Sequence, residues 1–142
     1  MVLLLPIFMF FFFGFVKIFA LLVLVQKIEV AAFYAGRRWQ LESHRNVAYE
    51  GSFDDRRLRP DIEKKVKESL GCNIPSIRGF LGLACNRIKV TVQRTQVWNI
   101  VRLRVPVLPW NIPLMKFKFK DFVVIKYVPN RDRPIGFNLP GL

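Results

Sequence analysis

The stretch VLLLPIFMFFFFGFVKIFALLVLV, residues 2–25, decides the fold of this 142-residue chain. It is apolar throughout except for Lys17. At 1.5 Å per residue, an unbroken helix over these residues spans roughly 36 Å, enough to cross the ~30 Å hydrocarbon core of a bilayer. No other stretch of the sequence approaches this length. The sequence therefore predicts one transmembrane anchor, residues 1–26, with the rest of the chain on one side of the membrane.

Two other interpretations of the apolar stretch stay open. A secretory signal peptide has a basic start, an apolar region of about 7–15 residues and a small-residue cleavage site. Here no Lys or Arg precedes the apolar run, and the run is longer, although Val-Ala-Ala at 30–32 resembles a cleavage site. The stretch could also be a helix buried in a large protein assembly. Within a membrane we expect Lys17 to snorkel, or to face a carboxylate or a lipid phosphate.

The charge of the chain predicts its orientation and its partners. The sequence holds 23 Lys and Arg against 10 Asp and Glu, a net charge of +13. Lys27, Arg37, Arg38 and Arg45 follow the apolar run closely, where the positive-inside bias applies. We therefore expect the body on the non-translocated side. That side is the cytosol, the mitochondrial matrix or the stroma, and by analogy with Phe-rich organellar anchors we expect the matrix side of the mitochondrial inner membrane. The expected partners are other subunits of a membrane complex and anionic lipid, with RNA as an alternative.

The cysteines and the histidine do not predict a metal centre. A structural zinc site needs about four ligands at close paired spacing, whereas this chain has Cys72, Cys85 and His44. On a reducing side of a membrane we expect both cysteines as packed thiols, whereas an intermembrane or secreted compartment would allow a Cys72–Cys85 disulfide. We expect His44 on the surface.

The remaining sequence predicts a small α+β fold with one or two short helices and about three strands. Its expected parts are a juxtamembrane segment 27–58, a basic domain 59–128 and an extended Pro/Gly-rich tail 129–142. We expect the first helix to stop at Gly36. Residues 60–71 predict a soluble helix because Pro60 suits its start, Gly71 suits its end, and one apolar residue recurs every four positions. That stripe is Ile62, Val66 and Leu70.

Residues 76–85 predict a second short helix or a packed loop, and the pattern then changes to an alternation of period two. Residues 87–93, RIKVTVQ, predict a half-buried strand. Residues 96–105 predict a strand with Arg102 and Arg104 on the face opposite the apolar side chains. MKFKFK at 115–120 predicts a strand with one basic and one aromatic face, and 122–128 predicts another strand.

Two groups of residues are candidate contact sites. Arg37, Arg38 and Trp39 are candidates for the membrane interface, where aromatic and basic residues meet headgroups, although Trp39 could equally pack into the domain. The second group consists of candidate partner contacts, which could instead be solvated sheet residues; it comprises Arg102, Arg104, Lys116, Lys118 and Lys120.

No motif in the sequence predicts an enzyme, a cofactor or a small-molecule substrate. The sequence holds no phosphate-binding loop, no glycine fingerprint after a strand and no nucleophile elbow. His44 has Glu42 and Ser43 near it in the sequence, but a catalytic triad needs a nucleophile and an orienting acid that the fold brings together.

Two stretches resemble known families. Leu81-Gly82-Leu83, Arg87-Ile88 and Thr91-Val92, within residues 80–105, resemble the core of the family of the thirtieth protein of the large ribosomal subunit. That resemblance implies RNA binding and a short helix over residues 95–102, where the composition here is typical of a strand. It covers under a third of the chain.

GRRWQLESHRN, residues 36–46, resembles the segment that follows the single span in the small one-helix accessory subunit of respiratory complex I. Trp39, Leu41, Glu42 and Arg45 carry this similarity, whereas the acidic residue of that family's span is missing here.

Taken together, the sequence predicts a structural accessory subunit of a multiprotein membrane complex. We expect a respiratory-chain or ATP-synthase type of complex in the mitochondrial inner membrane. The alternative function is an RNA-binding protein of the large subunit of an organellar ribosome.

Overall fold

A computed structural model describes residues 2–42, 54–95, 97–112 and 115–129. A π-helical turn, Asp54–Leu58, leads into the second helix, and a 3-10 turn, Cys85–Arg87, leads into the first strand. The arrangement confirms the predicted α+β fold with a long apolar helix near the start of the chain. The described elements are α1 Leu4–Glu42, α2 Arg59–Leu70, α3 Pro75–Leu81, β1 Lys89–Arg94, β2 Trp98–Val105, β3 Trp110–Ile112, β4 Met115–Phe117 and β5 Phe122–Pro129.

Helix α1 is a single element of 39 residues, and the predicted stop at Gly36 is wrong. Gly36 lies where the helix meets β5, and a Cβ atom placed on it would stand 3.0 Å from Val128 Cγ2. The missing side chain therefore allows close packing of helix and strand, and the helix continues to Glu42.

The two halves of α1 have different environments. Residues 2–13 are exposed, and exposure continues through Phe19 with three half-buried positions. From Ala20 onward a buried face recurs every three or four residues, as expected for one side of a helix packed on a core. The segment 27–42, expected as a juxtamembrane connection, is thus part of the folded body. The buried face comprises Ala20, Leu24, Ile28, Ala31, Ala32, Ala35, Gly36 and Trp39.

Helix α2 packs against α1 with the predicted apolar stripe. Ile62, Val66 and Leu70 are all buried, at 1%, 0% and 0% exposure. The helix ends where predicted, because Gly71 has a φ of +92°, in the left-handed region that glycine adopts without strain. Outside the buried stripe, Lys67 forms an ion pair with Glu63 at 2.8 Å, and Lys65 forms one with Glu68 at 3.2 Å.

The main sheet has three antiparallel strands in the order β1-β2-β5. In its register Lys89 of β1 lies opposite Arg104 of β2, and Arg104 in turn lies opposite Val123 of β5. Arg102 and Arg104 are exposed on the outer face, as predicted. The short helix implied by the ribosomal resemblance is therefore wrong, because β2 occupies most of residues 95–102. The inner face of β2 packs into the core through Asn99, Val101, Leu103 and Val105.

The segment between β2 and β5 departs from its prediction. Strands β3 and β4 form a separate two-stranded antiparallel sheet, in which Trp110 pairs with Phe117. Pairing ends at Phe117, so the predicted strand over 115–120 is wrong in its second half. Lys118 and Lys120 are exposed in an irregular connection, and Phe119 between them is half-buried.

Cys72 and Cys85 form a disulfide, with an S–S distance of 2.10 Å and a Cα–Cα distance of 6.0 Å. It joins the segment after α2 to the turn before β1. This pairing agrees with the disulfide expected for an oxidising compartment and not with the packed thiols expected on a reducing side. The predicted tail 129–142 lies outside the described residues except for Pro129, and His44 lies outside them as well.

Candidate membrane and partner contact sites

The exposed half of α1 is a candidate membrane-spanning surface. Among the described residues, α1 is the one helix that is long and apolar enough to cross a membrane. Its phenylalanines cover several sides of the helix; Phe8 is 70% exposed and Phe13 is 65% exposed. Lys17 is half-buried near the point where the body begins. A helix that is apolar all round suits lipid or a protein interior, since water favours a polar face.

The three predicted interface residues lie at the far end of α1. Arg37 is 12 residues beyond Val25, which places it about 18 Å further along the helix axis. Arg37 donates a hydrogen bond to Gln40 Oε1 at 3.3 Å. Trp39 is 4% exposed and packs in the core, which agrees with the alternative left open for it. A role of Arg37 and Arg38 in headgroup binding stays a prediction.

Arg38 is held within the body by acidic neighbours. Its Nε donates to Glu42 Oε1 at 2.8 Å, and its Nη2 lies 2.5 Å from Asp61 Oδ2. The hydrogen bond with Glu42 is the largest influence on the pKa of Arg38 and raises it; burial lowers the pKa less strongly, and the bond with Asp61 adds to the increase. The guanidinium therefore stays charged at any relevant pH and ties the start of α2 to the end of α1.

Two of the predicted partner contacts lie on the outer face of the three-stranded sheet, and the other three lie in the segment between β2 and β5. Arg102 and Arg104 project from β2, and Arg104 donates through Nε and Nη2 to Asp121 Oδ2 at 2.7 and 2.6 Å. Lys116 belongs to β4, and Lys118 and Lys120 follow it in the chain. The structure thus does not join all five residues into one flat basic face.

An open groove brings together basic residues that the sequence did not single out. Arg87 leaves the 3-10 turn, Lys89 begins β1, and both line the groove beside Arg104. Its volume is about 510 Å³. The antiparallel register joins Lys89 to Arg104, and this pairing could be found only once the strand partners were known. The other lining residues are Asn86, Pro106 and Asp121.

Neither metal ligands nor known relatives assign a chemistry to these sites. In the part of the chain that the structure describes, no three His, Cys, Asp or Glu side chains come together as metal ligands. No family model, curated protein or solved structure matches the chain.

Proposed function

We propose that this protein is a single-pass, non-catalytic accessory subunit of a multiprotein membrane complex. The division of α1 into an exposed apolar half and a half embedded in the body carries the proposal. An apolar surface of this length needs lipid or an apolar partner around it. Because the same helix continues into the core, the anchor holds the body at a fixed height above the membrane.

The outer face of the sheet supports a role in assembly. On β5 the exposed row Val123, Ile125 and Tyr127 is apolar, with exposures of 52%, 42% and 64%. Trp98 of β2, 46% exposed, lies on the same face, and Arg102 adds a positive charge. A neighbouring subunit with apolar and acidic side chains would complement this surface. Such a cover would explain why an apolar row faces outward on an edge strand.

The compartment belongs to the proposal as well. The expected membrane is the mitochondrial inner membrane, and the positive-inside bias favours the matrix side for the body. The Cys72–Cys85 disulfide favours the opposite, oxidising side, because thiols in reducing compartments seldom stay paired. The bias rests on four residues, Lys27, Arg37, Arg38 and Arg45, whereas the disulfide is a covalent bond within the fold, so the disulfide decides the proposed side. The proposed location of the body is therefore the intermembrane-space side.

The anchor is tested by alkaline carbonate extraction. We expect the full-length protein in the membrane pellet and the Phe12→Asp/Phe13→Asp double variant largely in the supernatant, because each acidic side chain near the centre of a span costs about 2.5–3.5 kcal/mol. The matched control is Val30→Asp/Phe33→Asp, on the exposed side of α1 beyond the apolar run. Release of the unaltered protein would rule out the transmembrane proposal.

A second measurement separates the membrane subunit from the RNA-binding alternative. We expect mild detergent to disperse the native particle and ribonuclease to leave its sedimentation unchanged. Contacts with phosphates would instead make binding depend steeply on salt, by about −0.7 in the slope of log affinity against log salt for each single-strand phosphate. A particle that ribonuclease dissolves and detergent spares would favour the ribosomal function.

A further inference from the structure

One end of the body lies at the level of the bilayer surface. Strand β5 runs broadly in the same direction as α1. Lys126 forms a 2.6 Å ion pair with Glu29, earlier in the helix, whereas the following residues, 127–129, line a cleft together with Gly36, Arg37 and Gln40. From Val128 back to Phe122 the strand covers about 20 Å. The same distance along the helix leads from Gly36 back to about Val23. The start of β5 therefore lies toward the apolar half of α1, roughly level with Val23, and Phe122 and Val23 both pack against the same hydrophobic core.

The hydrocarbon core of the bilayer ends at about the same level along α1. A hydrocarbon core of about 30 Å takes about 20 helical residues, which from Val2, at the start of the apolar run, reaches Leu21, less than one helical turn from Val23. Since β2 is antiparallel to both of its neighbours, Val105 and Lys89 lie at the same end of the sheet as Phe122. The groove, lined by Arg87, Lys89 and Arg104, therefore lies at the membrane-facing end of the body.

Helix α3 and the segment after β2 bring apolar side chains to this end. The segment after β2 pairs with the segment after α3, through a bridge between Leu83 and Val107 and a 2.8 Å bond from Leu108 N–H to Gly82 O. Helix α3 also contacts α1. Phe80 is 41% exposed and Leu108 is 51% exposed. Apolar side chains beside cationic ones match the boundary between acyl chains and headgroups, where both kinds of contact are available.

The groove has an excess of positive charge, which a bound anion would neutralise. Lys89 and Arg104 are directly opposite each other on neighbouring strands, an arrangement of like charges that destabilises a sheet, and Asp121 offsets only one of the positive charges of the lining. Asp121 binds Arg104 and thereby fixes the direction of its guanidinium, while Arg87 and Lys89 add two further positive charges to the lining. A phosphate oxygen suits such a cluster because guanidinium and ammonium groups both donate to it.

We infer that this groove binds the headgroup phosphate of an anionic membrane lipid. The inference rests on the proposed anchoring of α1, because the bilayer must lie at the level of Val23. The lipid is favoured over RNA because two exposed apolar side chains, Phe80 of α3 and Leu108 after β2, lie at the same end as the cations. The protein would thus be held by its span and, independently, by a lipid bound at the edge of its body.

The test is lipid binding by the full-length protein in detergent, measured by native mass spectrometry and by thermal unfolding. Phosphatidylglycerol is the probe, phosphatidylcholine the neutral lipid, and inorganic phosphate and a short oligoribonucleotide are the water-soluble anions. The variant is Arg87→Gln/Lys89→Gln, and the matched control is Lys64→Gln/Lys65→Gln on α2. All four side chains are exposed, so each variant removes two surface charges from a fold that should persist.

We expect the unaltered protein and the control to bind phosphatidylglycerol in preference to phosphatidylcholine. The groove variant should bind it about tenfold to thirtyfold more weakly, because basic side chains near a membrane surface each contribute to the attraction of anionic lipid. Equal binding by the groove variant would overturn the inference. Equal protection by inorganic phosphate, or tighter binding of the oligoribonucleotide, would overturn the assignment to a lipid.

Carbonate extraction of the same two variants separates this inference from the anchoring proposal. Retention of both in the pellet, together with weaker lipid binding by the groove variant alone, supports both statements. If carbonate releases the unaltered protein and both variants into the supernatant, the anchoring proposal is contradicted, whatever the lipid measurement gives.

Discussion

Replacing Ile28 with lysine is expected to abolish folding of the body, whereas replacing Val30 with lysine leaves it folded. Ile28 is 1% exposed on the face of α1 that packs in the core, and Val30 is 65% exposed on the other side. Loss of a buried isoleucine costs about 2–5 kcal/mol, and an unpaired buried charge adds several more. Domains are stable by only about 5–15 kcal/mol, so the two losses together exceed what the fold can tolerate.

The measurement is limited proteolysis and circular dichroism of the full-length protein in detergent. Both variants gain the same charge on the same helix, beyond the apolar run 2–25, so membrane insertion should be equal. We expect rapid cleavage within residues 54–129 for Ile28→Lys alone. Equal resistance of the two variants would contradict the claim that the second half of α1 is part of the core.

The elements that the sequence predicted best are those whose pattern is complete in a short window. The stripe of α2 repeats three times within nine residues and ends at a glycine, so the helix, its buried face and its end could all be read locally. The alternation in β1 and β2 likewise predicted the exposed positions of Arg102 and Arg104. Local patterns suffice where one face meets water and the other meets the core.

The extent of α1 could not be read in this way. Hydropathy falls after residue 25, and this change in composition suggested a boundary between anchor and connection. The buried face that continues beyond it includes Ala31, Ala32, Ala35 and Gly36, whose small side chains produce only a weak apolar period. Small residues mark a close approach of two backbones, and the partner at Gly36, β5, lies about ninety residues away in the chain. Only the folded structure joins the two.

The contact sites, like the helices and strands, were predictable from the sequence only in part. Arg104 was predicted as a contact residue from strand alternation, but Arg87 and Lys89 gain significance only through the register that pairs β1 with β2. The segment KFKFK illustrates the opposite error, because a regular alternation over a few residues predicted a strand that ends at Phe117. An alternation of side-chain type every two residues is weak evidence for a strand when prolines precede it and the strand with which it would pair is unknown.

Removal of the disulfide is expected to lower the free energy of unfolding by about 3 kcal/mol. Cys72 and Cys85 are 13 positions apart, and a cross-link that closes a loop of this size restricts the unfolded chain by about that amount. In a small domain the loss corresponds to a Tm lower by roughly 12 °C or more. The variant is Cys72→Ser/Cys85→Ser, measured by thermal unfolding of the detergent-solubilised full-length protein.

Reductant supplies the internal control for this effect and also tests the compartment. Dithiothreitol should lower the Tm of the unaltered protein to that of the double variant and should leave the variant unchanged, because Cys72 and Cys85 are the two cysteines of the chain. In intact organelles, a thiol-reactive mass tag added after denaturation should label the protein only after prior reduction. Labelling without reduction would show free thiols in the cell. That result would return the body to a reducing side of the membrane, in agreement with the positive-inside bias, and would remove the argument for the intermembrane space.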